Sequence, residues 1–100
     1  MECPPEKMKL PILYDKLTPY WRRKVREEYV KIQRNKCMFC NNSLTEPPHD
    51  GIANAQIDWG LFPRGFLKHP VHLQHNHETG LTEGVVHARC NAYMWQYEKR

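Results

Sequence analysis

Two residue pairs in this chain have the spacing of metal ligands. Cys37 and Cys40 are separated by two residues, and so are His87 and Cys90. A Cys-x-x-Cys knuckle sets two thiolates side by side. Two donors at i and i+3 lie one helical turn apart. Together the pairs can complete the tetrahedron of a structural zinc site. His87 is the expected fourth ligand, with His49, His69 and His72 as alternatives. Metal binding would release protons and join the first helix to the last element, a staple that a small core needs. A redox role for Cys37 and Cys40 is disfavoured, because no βαβ unit surrounds them. Cys3 is left over as a free thiol.

Five of the six histidines lie in the second half of the 100-residue chain, four of them from His69 to His77. The elements that must position them follow from local pattern. Residues 1–17, with Pro4, Pro5 and Pro11, read as an extended arm, and residues 18–100 as one domain. Thr18 and Pro19 open a helix as N-cap and first helical residue. Trp21, Val25, Tyr29 and Ile32 then recur at helical spacing, to about Arg34, with Asn35 as the stop. Residues 45–68 are broken by Pro and Gly. Trp59, Leu61, Phe62 and Phe66 are expected to fold back onto the core. Val71–His77 reads as a strand, Glu78-Thr79-Gly80 as a turn, Leu81–Val86 as a second strand and Ala88–Glu98 as a helix. On that helix Tyr93, Trp95 and Tyr97 are expected in the core. The fold class is α+β.

The stretch Val71-His-Leu-Gln-His-Asn-His-Glu-Thr-Gly80, followed by Leu-Thr-Glu-Gly-Val-Val-His-Ala-Arg-Cys-Asn91, resembles the HNH or His-Me finger endonucleases. The closest likeness is to the phage recombination endonuclease VII-like group. The matches are His75, His77, Thr79-Gly80, Gly84, Cys90-Asn91, and Cys37 with Cys40. The segment Val-Arg-Glu-Glu-Tyr-Val-Lys-Ile-Gln33 is similar to the helix that leads into the family's zinc knuckle. The resemblance covers roughly residues 18–97 and implies a zinc-stabilised ββα-metal domain that cleaves DNA.

By this resemblance His75 is the general base that takes a proton from water, a task suited to neutral imidazole. Asn91 and Gln74 hold the catalytic divalent metal, Mg²⁺ or Mn²⁺, and His77 or His72 assists. The zinc on Cys37, Cys40, His87 and Cys90 is structural. Gln74 stands where the family places Asp or His, so the metal set carries no charge. Asn76 replaces a common Asp, and His87 replaces the third zinc cysteine. In a regular strand Gln74 and His75 point to opposite faces. They can meet one phosphate only if the strand twists or ends there.

Charge is concentrated. Residues 18–36 hold seven basic side chains against two acidic ones, in a chain of net charge +4 and pI near 9.0. Arg22, Arg23, Lys24 and Arg26 on the first helix are candidate DNA-phosphate contacts, and Arg89 a candidate phosphate clamp. The partner expected is DNA, with a homodimer if both strands are cut. No apolar run is long enough for a membrane span or a signal peptide. The expected location is cytoplasmic, the host cytoplasm if the chain is phage-encoded. Two rival readings are a non-catalytic zinc-dependent DNA-binding module and a zinc-knuckle protein-interaction domain. The second leaves the basic helix unexplained.

Overall fold

Thr18 opens helix α1 (Pro19–Ile32) as its side chain dictates, its Oγ1 accepting from the Trp21 N–H at 3.3 Å. In the computed structural model, which describes residues 9–98, α1 stops two residues short of Arg34. Arg34 and Asn35 both take left-handed backbone, with φ of 55° and 59°, and the Asn35 N–H returns to the Val30 carbonyl. This termination turns the chain directly into the Cys37 knuckle.

The sheet is one antiparallel pair, β1 (Val71–His75) and β2 (Thr82–His87). Asn76 makes the turn between them: its Oδ1 accepts from the N–H groups of Glu78 and Thr79, at 2.8 and 3.0 Å. Gly80 closes the turn at φ 76°, which favours glycine. The strand ends at His75 rather than His77 because Asn76 begins this turn. Helix α3 (Ala88–Tyr97) follows β2 without a loop. Helices α1 and α3 each pack on both strands, around Val25, Tyr29, Leu73, Val85, Val86 and Met94. Among the described residues no helix is long and apolar enough to cross a membrane.

Three expectations need correction. The second half of the arm is part of the domain. Leu17 is buried, the Tyr14 N–H donates to the Gly80 carbonyl at 2.8 Å, and the Thr82 N–H donates to Ile12 at 2.9 Å. The arm satisfies backbone groups at the start of β2 that the hairpin leaves open. Cys3, Pro4 and Pro5 lie outside the described residues. Residues 45–68 contain a short helix α2 (Asp50–Ala53) and a 3-10 turn at Trp59–Leu61. Their aromatics form a surface cluster instead of joining the core: Trp59 and Leu61 are exposed, and Phe62 and Phe66 half-buried. On α3, Trp95 and Tyr97 are also exposed.

Gly84 and Gln33 lock α1 to β2. The Gln33 amide accepts from the Val85 N–H at 2.8 Å and donates to the Val85 carbonyl at 3.0 Å, pairing with it as a neighbouring strand would. A Cβ on Gly84 would lie 2.5 Å from Gln33 Oε1 and 2.9 Å from Met38 Sδ.

Candidate metal centre and adjoining cavity

Cys37, Cys40, His87 and Cys90 converge, with their ligand atoms all within 4.8 Å of one another. These four side chains can hold a metal ion such as zinc. The His87 ring is aimed for it. Its Nε2 lies 2.8 Å from the carbonyls of both Ser43 and Glu46. Carbonyls only accept, so Nε2 carries the hydrogen and Nδ1 offers the lone pair. Nδ1 lies 3.4 Å from Cys40 Sγ and 3.5 Å from Cys90 Sγ. A tetrahedral site with Zn–S of about 2.3 Å and Zn–N of about 2.0 Å has an S-to-N edge of about 3.5 Å. His49 is excluded as fourth ligand by its position as N-cap of α2, where Nδ1 accepts from the Gly51 N–H. His69 and His72 are not in the cluster.

The thiols are prepared for a cation. A hydrogen bond from Cys90, with further ones from the N–H groups of Cys40, His87 and Phe39, lowers Cys37 to about 4 against the opposing effect of burial. The same bond raises Cys90, as does its own burial. The Cys90 thiol thus donates to the Cys37 sulfur, and a metal ion held by both would displace that proton.

Asn91 follows Cys90 and faces a cavity of about 370 Å³ that Gln74, His75 and His77 also line, with Arg26 and His69. The strand geometry that would separate Gln74 from His75 is broken between these two residues. Gln74 pairs with Gly84 but His75 pairs with Thr82, so Glu83 has no opposite residue. Such a bulge adds twist at the end of β1. Both side chains therefore reach one space.

Hydrogen bonds settle which way both amides face. His72 Nε2 lies 2.9 Å from the Phe66 carbonyl and must donate to it. Its Nδ1 then accepts, at 3.1 Å, from the Asn91 side-chain nitrogen. This leaves Asn91 Oδ1 to face a ligand. The Gln74 nitrogen donates to the His75 carbonyl at 3.1 Å, which leaves Oε1. Two amide oxygens are thus available at the cavity. His72 has both ring nitrogens engaged, so it orients Asn91 instead of holding a metal itself. Burial is the main cause that lowers its pKa below the ordinary 6.5 and keeps it neutral.

His75 is half-buried between residues from three elements. The Tyr14 ring is stacked on it, with centroids 4.2 Å apart and planes 12° apart, and the Arg22 guanidinium lies 4.1 Å from the Tyr14 centroid. The exposed His77 ring is 5.0 Å from that of His75. Burial lowers the His75 pKa most, and His77 and Arg22 lower it further, against Asp15 and Glu83.

The basic residues divide. Arg26 lines the cavity, and Arg22 reaches its edge through Tyr14. Arg23 and Lys24 gather about Tyr20, and Lys24 also pairs with Glu27 at 3.7 Å. Arg89 is not at the cavity. Its guanidinium donates to the carbonyls of Ile52 at 3.0 Å and Ala55 at 2.8 Å and lies over Trp59. It fastens α2 and the turn after it to α3. Sequence reasoning did not find Tyr14 or the orienting role of His72. Nothing local marks Tyr14, but His72 lies on the cavity-lining strand, two residues before Gln74.

Comparison of the chain with protein-family models, with curated proteins and with solved structures finds no match.

Proposed function

We propose that this chain is a metal-dependent DNA endonuclease of the HNH or His-Me finger type, with His75 as general base. The observation that carries the reading is the convergence of His75, Gln74 and Asn91 on one cavity, with Asn91 next in sequence to a ligand of the cysteine-histidine cluster. In this role the cluster binds zinc structurally and holds α3 against the knuckle.

A DNA phosphate enters the cavity beside Arg26 and His69. Neutral His75 takes the proton from a water molecule in line with the departing 3′ oxygen. Gln74 Oε1 and Asn91 Oδ1 would hold a divalent cation, with His77 at the rim as a further donor. Oxygen donors of this kind suit Mg²⁺ or Mn²⁺. Such an ion supplies charge neutralisation at the phosphate and the leaving oxygen. Among the described residues no carboxylate lines the cavity. The substrate phosphate must therefore provide the anionic partner, and metal affinity should rise when DNA is bound. Arg22, Arg23, Lys24 and Arg26 steer the duplex by phosphate contacts, which carry no sequence information.

The test is supercoiled plasmid incubated with zinc-loaded protein and Mg²⁺, Mn²⁺ or no added metal. Conversion to open-circular or linear DNA only with added metal supports the reading, and 5′-phosphate ends identify the bond broken. The absence of a cavity carboxylate favours a second reading, a zinc-dependent DNA-binding module without catalysis. Salt-sensitive DNA binding with plasmid and single-stranded DNA both left intact under every metal would establish that reading and remove the first.

A further inference from the structure

Helix α3 presents two side chains one turn apart to the cavity, Asn91 and Trp95. Trp95 is 51% exposed. An indole left half in water forgoes the burial that normally places tryptophan in a core. It is not alone. The Phe62 ring lies 5.9 Å from Trp95, 4.8 Å from Phe66 and 5.8 Å from Trp59. Phe66 in turn meets the His72 ring at 4.7 Å, and its carbonyl fixes the His72 tautomer. The exposed aromatic surface thus runs without interruption into the cavity that holds His75 and Asn91.

The charge around this surface selects its partner. Arg64 and Lys68 alternate with Phe62 and Phe66, and no acidic residue occurs between Asp58 and Glu78. A second hollow of about 320 Å³, lined by Trp59, Phe62, Arg64, Phe66 and Lys68, adjoins the first through Phe66. Aromatic faces interleaved with cations along a groove are the chemistry that holds single-stranded nucleic acid: cations track the phosphates and rings stack on the bases. A base inside a duplex is stacked on its neighbours and offers no free face.

We infer that Trp95, backed by Phe62 and Phe66, is a stacking platform for an unpaired DNA base beside the phosphate in the His75 cavity. The platform directs the protein to single-stranded tails and gaps over continuous duplex. This assignment rests on the nuclease reading for the identity of the phosphate, but the stacking itself is measurable without cleavage.

The experiment is fluorescence anisotropy with a labelled twelve-nucleotide single strand, its duplex and the RNA of the same sequence, without added Mg²⁺. Zinc-loaded wild type is compared with Trp95→Ala and Trp95→Phe. The wild type should hold the single DNA strand more tightly than duplex. Trp95→Ala should lose about tenfold for the single strand and little for duplex, and Trp95→Phe should keep most of the affinity. Quenching of tryptophan fluorescence by the strand should shrink in Trp95→Phe, a readout that stands even if the alanine variant does not fold. Equal loss on single strand and duplex, no loss on either, or tighter binding of RNA or duplex would overturn the inference. Cleavage assays on the same DNAs separate the two levels. Strand preference without cleavage supports the platform and removes the nuclease reading. Cleavage without strand preference removes the platform and keeps the nuclease.

Discussion

The phenol ring of Tyr14 lies flat on the imidazole of His75, 4.2 Å between centroids, and Arg22 stands 4.1 Å from the same phenol. Tyr14 thus contacts His75 and Arg22 at once. It thereby ties the His75 ring to the N-terminal segment and, through Arg22, to α1. An aromatic pair contributes about 0.5–1.5 kcal/mol beyond area burial. Its larger effect here is on orientation, where a small displacement can cost up to about a hundredfold in rate. Tyr14→Leu should lower kcat roughly tenfold with little change in KM, and Tyr14→Phe should restore it. An unchanged kcat in Tyr14→Leu would reduce the stack to a packing contact.

Gly84→Ala should destabilise the domain by about 1–3 kcal/mol, the usual cost of overpacking. The new methyl would meet Gln33 Oε1 at 2.5 Å, and that oxygen is held in place by Val85. Urea unfolding checks the size. In a Gln33→Ala background the cost of Gly84→Ala should shrink, because the obstructing amide is gone. Additive losses would place the clash elsewhere.

Acid should weaken the fold through His72. Its folded pKa is lowered from 6.5, chiefly by burial, so the native state favours the neutral ring. The contribution is fully present above pH 6.5, the unfolded value. Below it the unfolded chain takes up the proton first, and stability is lost as pH falls through the folded pKa. The His75 shift has the same direction and adds to the loss. Urea midpoints between pH 8 and pH 5 should show this decline, and it should be smaller in His72→Gln. An identical decline in that variant would assign the acid sensitivity to other groups.

Removal of metal should be more damaging than any of these substitutions. Structural zinc contributes an apparent ~10–16 kcal/mol at neutral pH in small domains, more than a core of this size supplies. A strong chelator should abolish the cooperative thermal transition, and zinc should restore it. Cys37→Ser should lose most of its zinc by elemental analysis. Full retention would displace Cys37 from the cluster.

The strand–turn–strand–helix order was legible in the sequence because Glu78-Thr79-Gly80 and the alternation after Val71 are local signals, although Asn76, assigned there to the strand, is where the turn begins. The four cluster residues were legible because ligand spacing is local too. What escaped depends on contacts between distant segments. Tyr14 reaches His75 across 61 positions, and no periodicity announces it. Arg89 beside Asn91 suited a phosphate clamp until the carbonyls of Ile52 and Ala55 were seen to occupy it. Trp95 looked like core by type. Its spacing of four from Asn91 was the signal that both face one side of α3. Gln74 and His75 were expected on opposite faces, with convergence only where the strand twists or ends. The structure has both conditions, a bulge opposite these residues and the end of β1 at His75.

The central claim is that His75 performs phosphodiester cleavage, and the most direct measurement compares wild type with His75→Ala on supercoiled plasmid in Mn²⁺. Equal zinc content and equal DNA binding in the two proteins first establish that the variant is folded. Relaxation by the wild type and a loss of at least about a hundredfold in the variant is the expected result. Relaxation at the same rate in both would contradict the assignment of His75, and no cleavage by either, of plasmid or of a gapped duplex, would contradict catalysis at this cavity.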